Sequence, residues 1–170
     1  MHIRILLACF GLAILTGCNH TTPVYEWVPV SLSDGGASFS MPGKPYAVSE
    51  AGFQGYKYED KPVAGYSLGY ADIPEASTVD PVKFLDSVSA KYIASFNGQV
   101  DREERTTANG YPALDIDLTA QDGTHLFTRY CIVSQRYYIL RTAFIKAARK
   151  PGINEQTKRF FNSFKPVAIK

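Results

Sequence analysis

The sequence predicts an α+β domain: an antiparallel sheet with helices packed on both faces. Three observations carry that expectation. Short segments alternate apolar and polar residues between Gly, Pro, Asn and Asp turns, as antiparallel strands do. Two other segments space their apolar residues by three and four, the stripe of a packed helix. One hairpin is apolar on both faces, so both faces of the sheet need cover. The 170 residues are 45% hydrophobic and 20% charged, which suits one globular domain and excludes a disordered tail or a collagenous rod. A formal charge of +2 is no polybasic excess, so bulk charge gives no reason to expect nucleic acid as a partner.

Residues 1–17 read as a removable leader. Arg4 is the only formal charge before Cys18, and Ile5 to Leu15 is an apolar run of 11 residues. Spanning hydrocarbon takes about 20. A positive start, a short apolar run and small residues at its end make a secretory signal rather than a membrane helix. The ending Leu15-Thr16-Gly17-Cys18 resembles the lipobox of bacterial lipoproteins. That resemblance implies cleavage between Gly17 and Cys18. It also implies acyl chains, palmitate among them, on the Cys18 thiol and amine. Each buried methylene contributes about 0.8 kcal/mol, so several chains anchor firmly where one does not. In Gram-negative lipoproteins an Asp after the cysteine commonly favours inner-membrane retention. Here the residue is Asn19, so the resemblance points to the outer membrane, facing the periplasm.

Residues 18–26 are then the acylated cysteine and a short polar tether containing Pro23. Its eight residues after Cys18 reach at most roughly 28 Å. The tether keeps the single domain, residues 27–170, near its own membrane.

Within the domain, Trp27 to Val30 is a short apolar opening and Ser33-Asp34-Gly35-Gly36 is a turn. Ser38 to Met41 alternates until Pro42-Gly43-Lys44-Pro45 stops it. Gln54 to Glu59 alternates around Tyr56 and Tyr58, and Ala64 to Asp72 places Tyr66, Leu68 and Tyr70 on one face. Asp80-Pro81 opens a helix, with Asp as N-cap and Pro at the first position. Leu85, Val88, Tyr92 and Phe96 form its stripe, and Asn97-Gly98 ends it. Gln99 to Thr107 is polar and edge-like; Asn109-Gly110 turns the chain. Leu114, Ile116 and Leu118 alternate with Asp115, Asp117 and Thr119, giving one wet face. After Gln121 to Thr124, His125 to Val133 and Tyr137 to Ile145 form a hairpin around Ser134-Gln135-Arg136. A final helix over about 154–164 carries Phe160, Phe161 and Phe164.

Ser38-Phe39-Ser40-Met41-Pro42-Gly43-Lys44-Pro45 resembles the opening of PsbP-like domains. Gly110-Tyr111-Pro112-Ala113, the hairpin with Tyr137-Tyr138, and Phe160-Phe161-Asn162-Ser163-Phe164 match the same pattern. The arrangement also resembles the small DcrB-type bacterial lipoproteins. The resemblance spans roughly residues 30–167 and implies a PsbP-like α/β/α sandwich. It carries over no catalytic residue and no cofactor.

Few residues could carry chemistry. Cys131 is the one thiol left beside Cys18 after the leader, with no CxxC partner. His125 lies six residues earlier on the same strand, about 20 Å away, too far for a Cys–His dyad. It is also the only histidine of the domain, and no cluster with metal-ligand spacing accompanies it, so no metal is expected. Cys131 therefore reads as a buried, inert thiol. Asp115 and Asp117 share one strand face about 6.6 Å apart. That suits acid–base work or a weak cation site; a solvated face produces the same pair. Tyr56, Tyr58, Tyr66 and Tyr70 can line one aromatic surface if the loop at Asp60-Lys61-Pro62 has odd length, with Tyr56 across from Tyr66. Such a surface stacks on a sugar ring or a peptide; a tyrosine-rich core has the same pattern. Residues 141–170 hold eight bases against Glu155 alone, while residues 18–140 hold nine bases and fifteen acids. A basic end near an anionic membrane gains attraction, unless groups such as Glu103 and Glu104 neutralise it.

These features lead to one functional expectation: a lipid-anchored, non-enzymatic accessory or binding domain of the bacterial cell envelope. Its partners would be the membrane, through Cys18, and an envelope protein or glycan. The alternative is an envelope enzyme or small-ligand carrier whose site has no recognisable motif.

Overall fold

The structure is a computed structural model. It describes residues 26–168 apart from 35, 51, 62–63, 74–79 and 146–152, with backbone alone at 153–154. The leader, Cys18 and the tether up to residue 25 lie outside the described residues. The strands are β1 (Trp27–Ser31), β2 (Ala37–Pro42), β3 (Tyr46–Glu50), β4 (Phe53–Asp60) and β5 (Ala64–Asp72). Helix α1 (Pro81–Phe96) follows, then β6 (Gln99–Ala108), β7 (Tyr111–Thr119), β8 (His125–Val133) and β9 (Arg136–Phe144). Helix α2 (Ile153–Ser163) and β10 (Lys165–Pro166) close the chain. The result is a mixed α+β fold with antiparallel sheets and two helices among the described residues.

Seven strands form one sheet in the order β3-β4-β5-β9-β8-β7-β6, and β1-β2-β10 form a second. Turn chemistry sets the registers. Asn109 and Gly110 both adopt positive φ, 53° and 86°, as a tight hairpin between β6 and β7 demands. Helix α1 starts where expected: the Asp80 carboxylate accepts the amide N–H groups of Val82 and Lys83, and Pro81 fills the first turn. It ends at Asn97, which takes the left-handed conformation with φ 44°.

Three details differ from expectation. Strand β3 carries no clear alternation and is largely exposed, so its partner β4 rather than its own pattern makes it a strand. Two-residue β10 is held only by Lys165 opposite Ser38 and Pro166 opposite Ala37. The β8–β9 turn is Ser134-Gln135 alone, because Arg136 pairs with Val133 and belongs to β9.

The seven-stranded sheet buries apolar residues in two clusters. Leu114, Ile116, Leu118, Leu126, Tyr130 and Ile132 pack with Leu85 and Tyr92 of α1. Alternate residues of β7 and β8, Ala113 and Cys131 among them, join Tyr138, Leu140 and Phe144 of β9 and pack with Phe160, Phe161 and Phe164 of α2 and with Phe39 and Met41 of β2. The second cluster is tied to the turn after β1 by polar contacts. Arg136 donates to Asp72 at 2.6 Å and to Asp34, and lies over the Tyr70 ring at 4.5 Å. The Tyr138 hydroxyl donates to the Gly36 carbonyl at 2.8 Å.

Phe160 sits where these layers meet. It is fully buried, edge-on to Tyr66 at 5.8 Å and to Phe39 at 6.5 Å. Phe160→Ala should destabilise the fold by about 3–5 kcal/mol, read from denaturant midpoints. A loss below about 1 kcal/mol would show that α2 is not needed to close this cluster.

Candidate functional site

The structure gathers the sequence-predicted carboxylate pair into a cleft. Asp115 and Asp117 lie on β7 on the same face as Ala113, which belongs to the α2 cluster. Strand β8 pairs Arg129 with Asp115 and Phe127 with Asp117. Strand β6 sets Glu104 beside Asp115 and Arg102 beside Asp117, with an irregularity between Val100 and Arg102. Helix α2 closes the other side with Thr157, Lys158, Phe161 and Asn162. The cleft encloses about 240 Å³.

The two carboxylates have different partners. Arg129 donates twice to Asp115, from Nε and Nη2, each at 2.7 Å, and its guanidinium lies over the Phe161 ring at 4.9 Å. Such a two-pronged, half-buried ion pair is among the more rigid polar contacts available to a sheet face. Burial pushes the Asp117 carboxyl up; Arg102 opposes that shift, and Asp115 and Asp101 add to it. The face expected to be simply wet is thus half-buried, because α2 packs over its edge.

Other expected sites resolve differently. The loop between β4 and β5 is of odd length, but Tyr58 faces Tyr66 and Tyr56 faces Leu68. The four tyrosines share a face, and that face is covered. Tyr66 is 1% exposed and Tyr70 9%, and Tyr56 and Tyr58 are half-buried against the same cluster. Two of the hydroxyls have side-chain partners: Tyr66 donates to Gln156 and Tyr70 to Gln54, both at 3.0 Å. Instead of an open binding surface, these rings form the contact that α2 and the small sheet make with β4 and β5.

Cys131 is fully buried, and burial pushes its thiol up to about 12. His125 Nδ1 lies 3.1 Å from the Thr119 hydroxyl, at the far end of β8 from Cys131. Among the described residues no three His, Cys, Asp or Glu side chains group to hold a metal ion. The basic end is partly engaged: Lys158 bridges Glu155 at 2.9 Å, and Arg159 lies over the Trp27 ring at 4.6 Å. Arg149 and Lys150 lie outside the described residues. Among the described residues, Glu104 pairs with Arg102, and Glu103 accepts from Ser89 at 3.4 Å.

Arg102, Phe127, Arg129 and Phe161 were not read from the sequence as site residues. A signal for Arg129 was present. A turn centred on Gln121 to Thr124 places residue 115 opposite a residue near 129, and the charges are opposite. Nothing local marks Phe161 as a cleft wall, because its role depends on where α2 docks.

No protein-family model and no curated protein sequence matches the chain. Solved structures do match. The chain is similar to cyanobacterial PsbP (CyanoP) from Synechocystis sp. PCC 6803, with 12% identity, 95% of this chain and 99% of that one covered, and a TM-score of 0.66. It is similar to the Ran-binding protein Mog1p of Saccharomyces cerevisiae, with 8% identity, 85% and 97% covered, and a TM-score of 0.54. It is also similar to a protein of unknown function from Pseudomonas aeruginosa, with 13% identity, 84% and 99% covered, and a TM-score of 0.53. At such identities the likeness is one of fold, and the fold is PsbP-like.

Two outcomes follow from this geometry. In the folded protein Cys131 should resist iodoacetamide at pH 8 and react once the chain is unfolded; rapid native labelling would contradict its burial. For Asp117, a raised folded value means folding disfavours the charged form. Its cost is present at neutral pH and disappears as pH falls below the unfolded value near 3.9. Asp117→Asn should raise the unfolding midpoint at pH 7 by about 2 °C, with the gain vanishing in acid. Paired thermal melts across pH would check this, and a lower midpoint at pH 7 would refute it.

Proposed function

We propose that this chain is a lipid-anchored protein of the bacterial envelope, of DcrB type, and that its one domain serves as a non-enzymatic accessory or binding module beside the membrane. The observation that carries the anchor is Leu15-Thr16-Gly17-Cys18 directly behind a short apolar run with a positive start. Asn19 favours the outer membrane, facing the periplasm. We read the two apolar clusters as the two interfaces of an α/β/α sandwich, α1 on one and α2 with the small sheet on the other.

Binding rather than catalysis is supported by what the candidate groups already do. Cys131 is sealed in the core, His125 meets Thr119, and Asp115 is held by Arg129. Each serves the fold or a neighbouring side chain. The second reading, a small-ligand carrier, draws support from the cleft of about 240 Å³ between β6, β7, β8 and α2.

The anchor is tested at Cys18. Cells given labelled fatty acid should incorporate it into the wild-type chain and not into Cys18→Ser, and the variant should keep its leader or be cut elsewhere. Undiminished labelling of the Ser variant would sink the assignment.

A further inference from the structure

The cleft is lined by three bases, Arg102, Arg129 and Lys158, and two acids, Asp115 and Asp117. Arg129 is neutralised by Asp115, Lys158 by Glu155, and Arg102 by Glu104. Asp117 is the exception: among the described residues, none forms an ion pair or hydrogen bond with its carboxylate. Arg102 is its neighbour on β6, but that side chain is 60% exposed and its guanidinium is engaged with Glu104. Asp101 and Asp115 lie close enough to repel it. On its other flank β8 places Phe127 directly across, and α2 adds Phe161. A half-buried carboxylate therefore stands beside an aromatic wall in a space of about 240 Å³.

These features select a ligand by chemistry. A carboxylate or phosphate would meet Asp117 and find the lining cations Arg102, Arg129 and Lys158 already paired. A neutral apolar molecule would strip water from Asp117 without replacing it, which is unfavourable. A positive charge on an apolar body satisfies both parts of the site. Its N–H groups donate to the carboxylate in charge-assisted hydrogen bonds, roughly twice as strong as neutral ones. The aromatic wall takes the apolar part and tolerates a cation at its face. The volume lies below the roughly 300–1,000 Å³ of drug-sized pockets, so the ligand is small.

We propose that this cleft binds a small organic ammonium ion, its charged head on Asp117 and its apolar body against Phe127 and Phe161. The inference rests on reading the domain as a binding module and is independent of the anchor.

The full chain, in non-ionic detergent, would be titrated with phenethylammonium, phenethyl alcohol and 3-phenylpropionate and followed by calorimetry and NMR shifts. Phenethylammonium should bind at least about tenfold more tightly than either of the others, a difference of about 1.4 kcal/mol. Asp117→Asn should remove most of that preference while remaining folded by its thermal melt. Cys18→Ser should bind as the wild type does, which separates the cleft from the anchor. Equal affinity for the alcohol, preference for the carboxylate, unchanged affinity in Asp117→Asn, or no binding of phenethylammonium to the folded wild type would each overturn the proposal.

Discussion

The structure depends on one constraint: the paired strands β8 and β9 are apolar on both faces. Cys131, Tyr138, Leu140 and Phe144 point one way, and Leu126, Tyr130, Ile132 and Ile139 the other. Leaving either set in water would forfeit about 25 cal/mol for each Å² of apolar surface. Neither flanking hairpin can supply that cover, because its strands lie in the same sheet. Helix α1 answers one set. The other needs more than α2, whose Phe160, Phe161 and Phe164 are supplemented by Phe39 and Met41 of the small sheet. That explains why three separated parts of the chain converge there, and why Arg136 and Tyr138 reach across to Asp34 and Gly36.

The same constraint locates the cleft. Cover is complete over the sheet's centre and gives out towards β7 and β6. Where it gives out, the α2-side residues of β7 change from Ala113 to Asp115 and Asp117, and those of β8 from Cys131 to Arg129. The boundary is not a clean step from core to water. Phe161 extends the apolar wall outward, and the Arg129 guanidinium lies over its ring while gripping Asp115. A guanidinium suits this position because it is planar and weakly hydrated and can grip a carboxylate with two N–H groups.

Much of this was legible in the sequence. Strand β5 runs over Ala64–Asp72 as its alternation indicates, and α1 is bounded by Asp80 and Asn97, whose side-chain chemistry suits those caps. That the β8–β9 hairpin is apolar on both faces was legible too, and the pairing of Val133 with Arg136 sets which residues share each face. What the sequence did not show depends on long-range partners. β3 and β10 have no pattern of their own and exist because β4 and β2 offer free edges. The tyrosines of β4 and β5 share a face, as alternation requires, but alternation does not say which face is covered. Deciding that takes the docking position of α2, about 90 residues later in the chain, where Gln156 meets Tyr66.

The cleft shows why a carboxylate pair read from spacing alone is ambiguous. Asp115 and Asp117 are equivalent on their own strand: same face, same residue type, two positions apart. Their neighbours break the symmetry. Shifting β8 by two residues would bring Arg129 opposite Asp117 and leave Asp115 without its partner. The observed register is set by the turn at Gln121 to Thr124, where the Asp122 carboxylate accepts the Thr124 amide at 2.8 Å and the Ala120 amide donates to the Thr124 carbonyl. A local turn preference thus decides, seven residues away, which of two identical acids gains an arginine partner and which does not. Chemistry at this edge of the sheet is controlled by register more than by residue type.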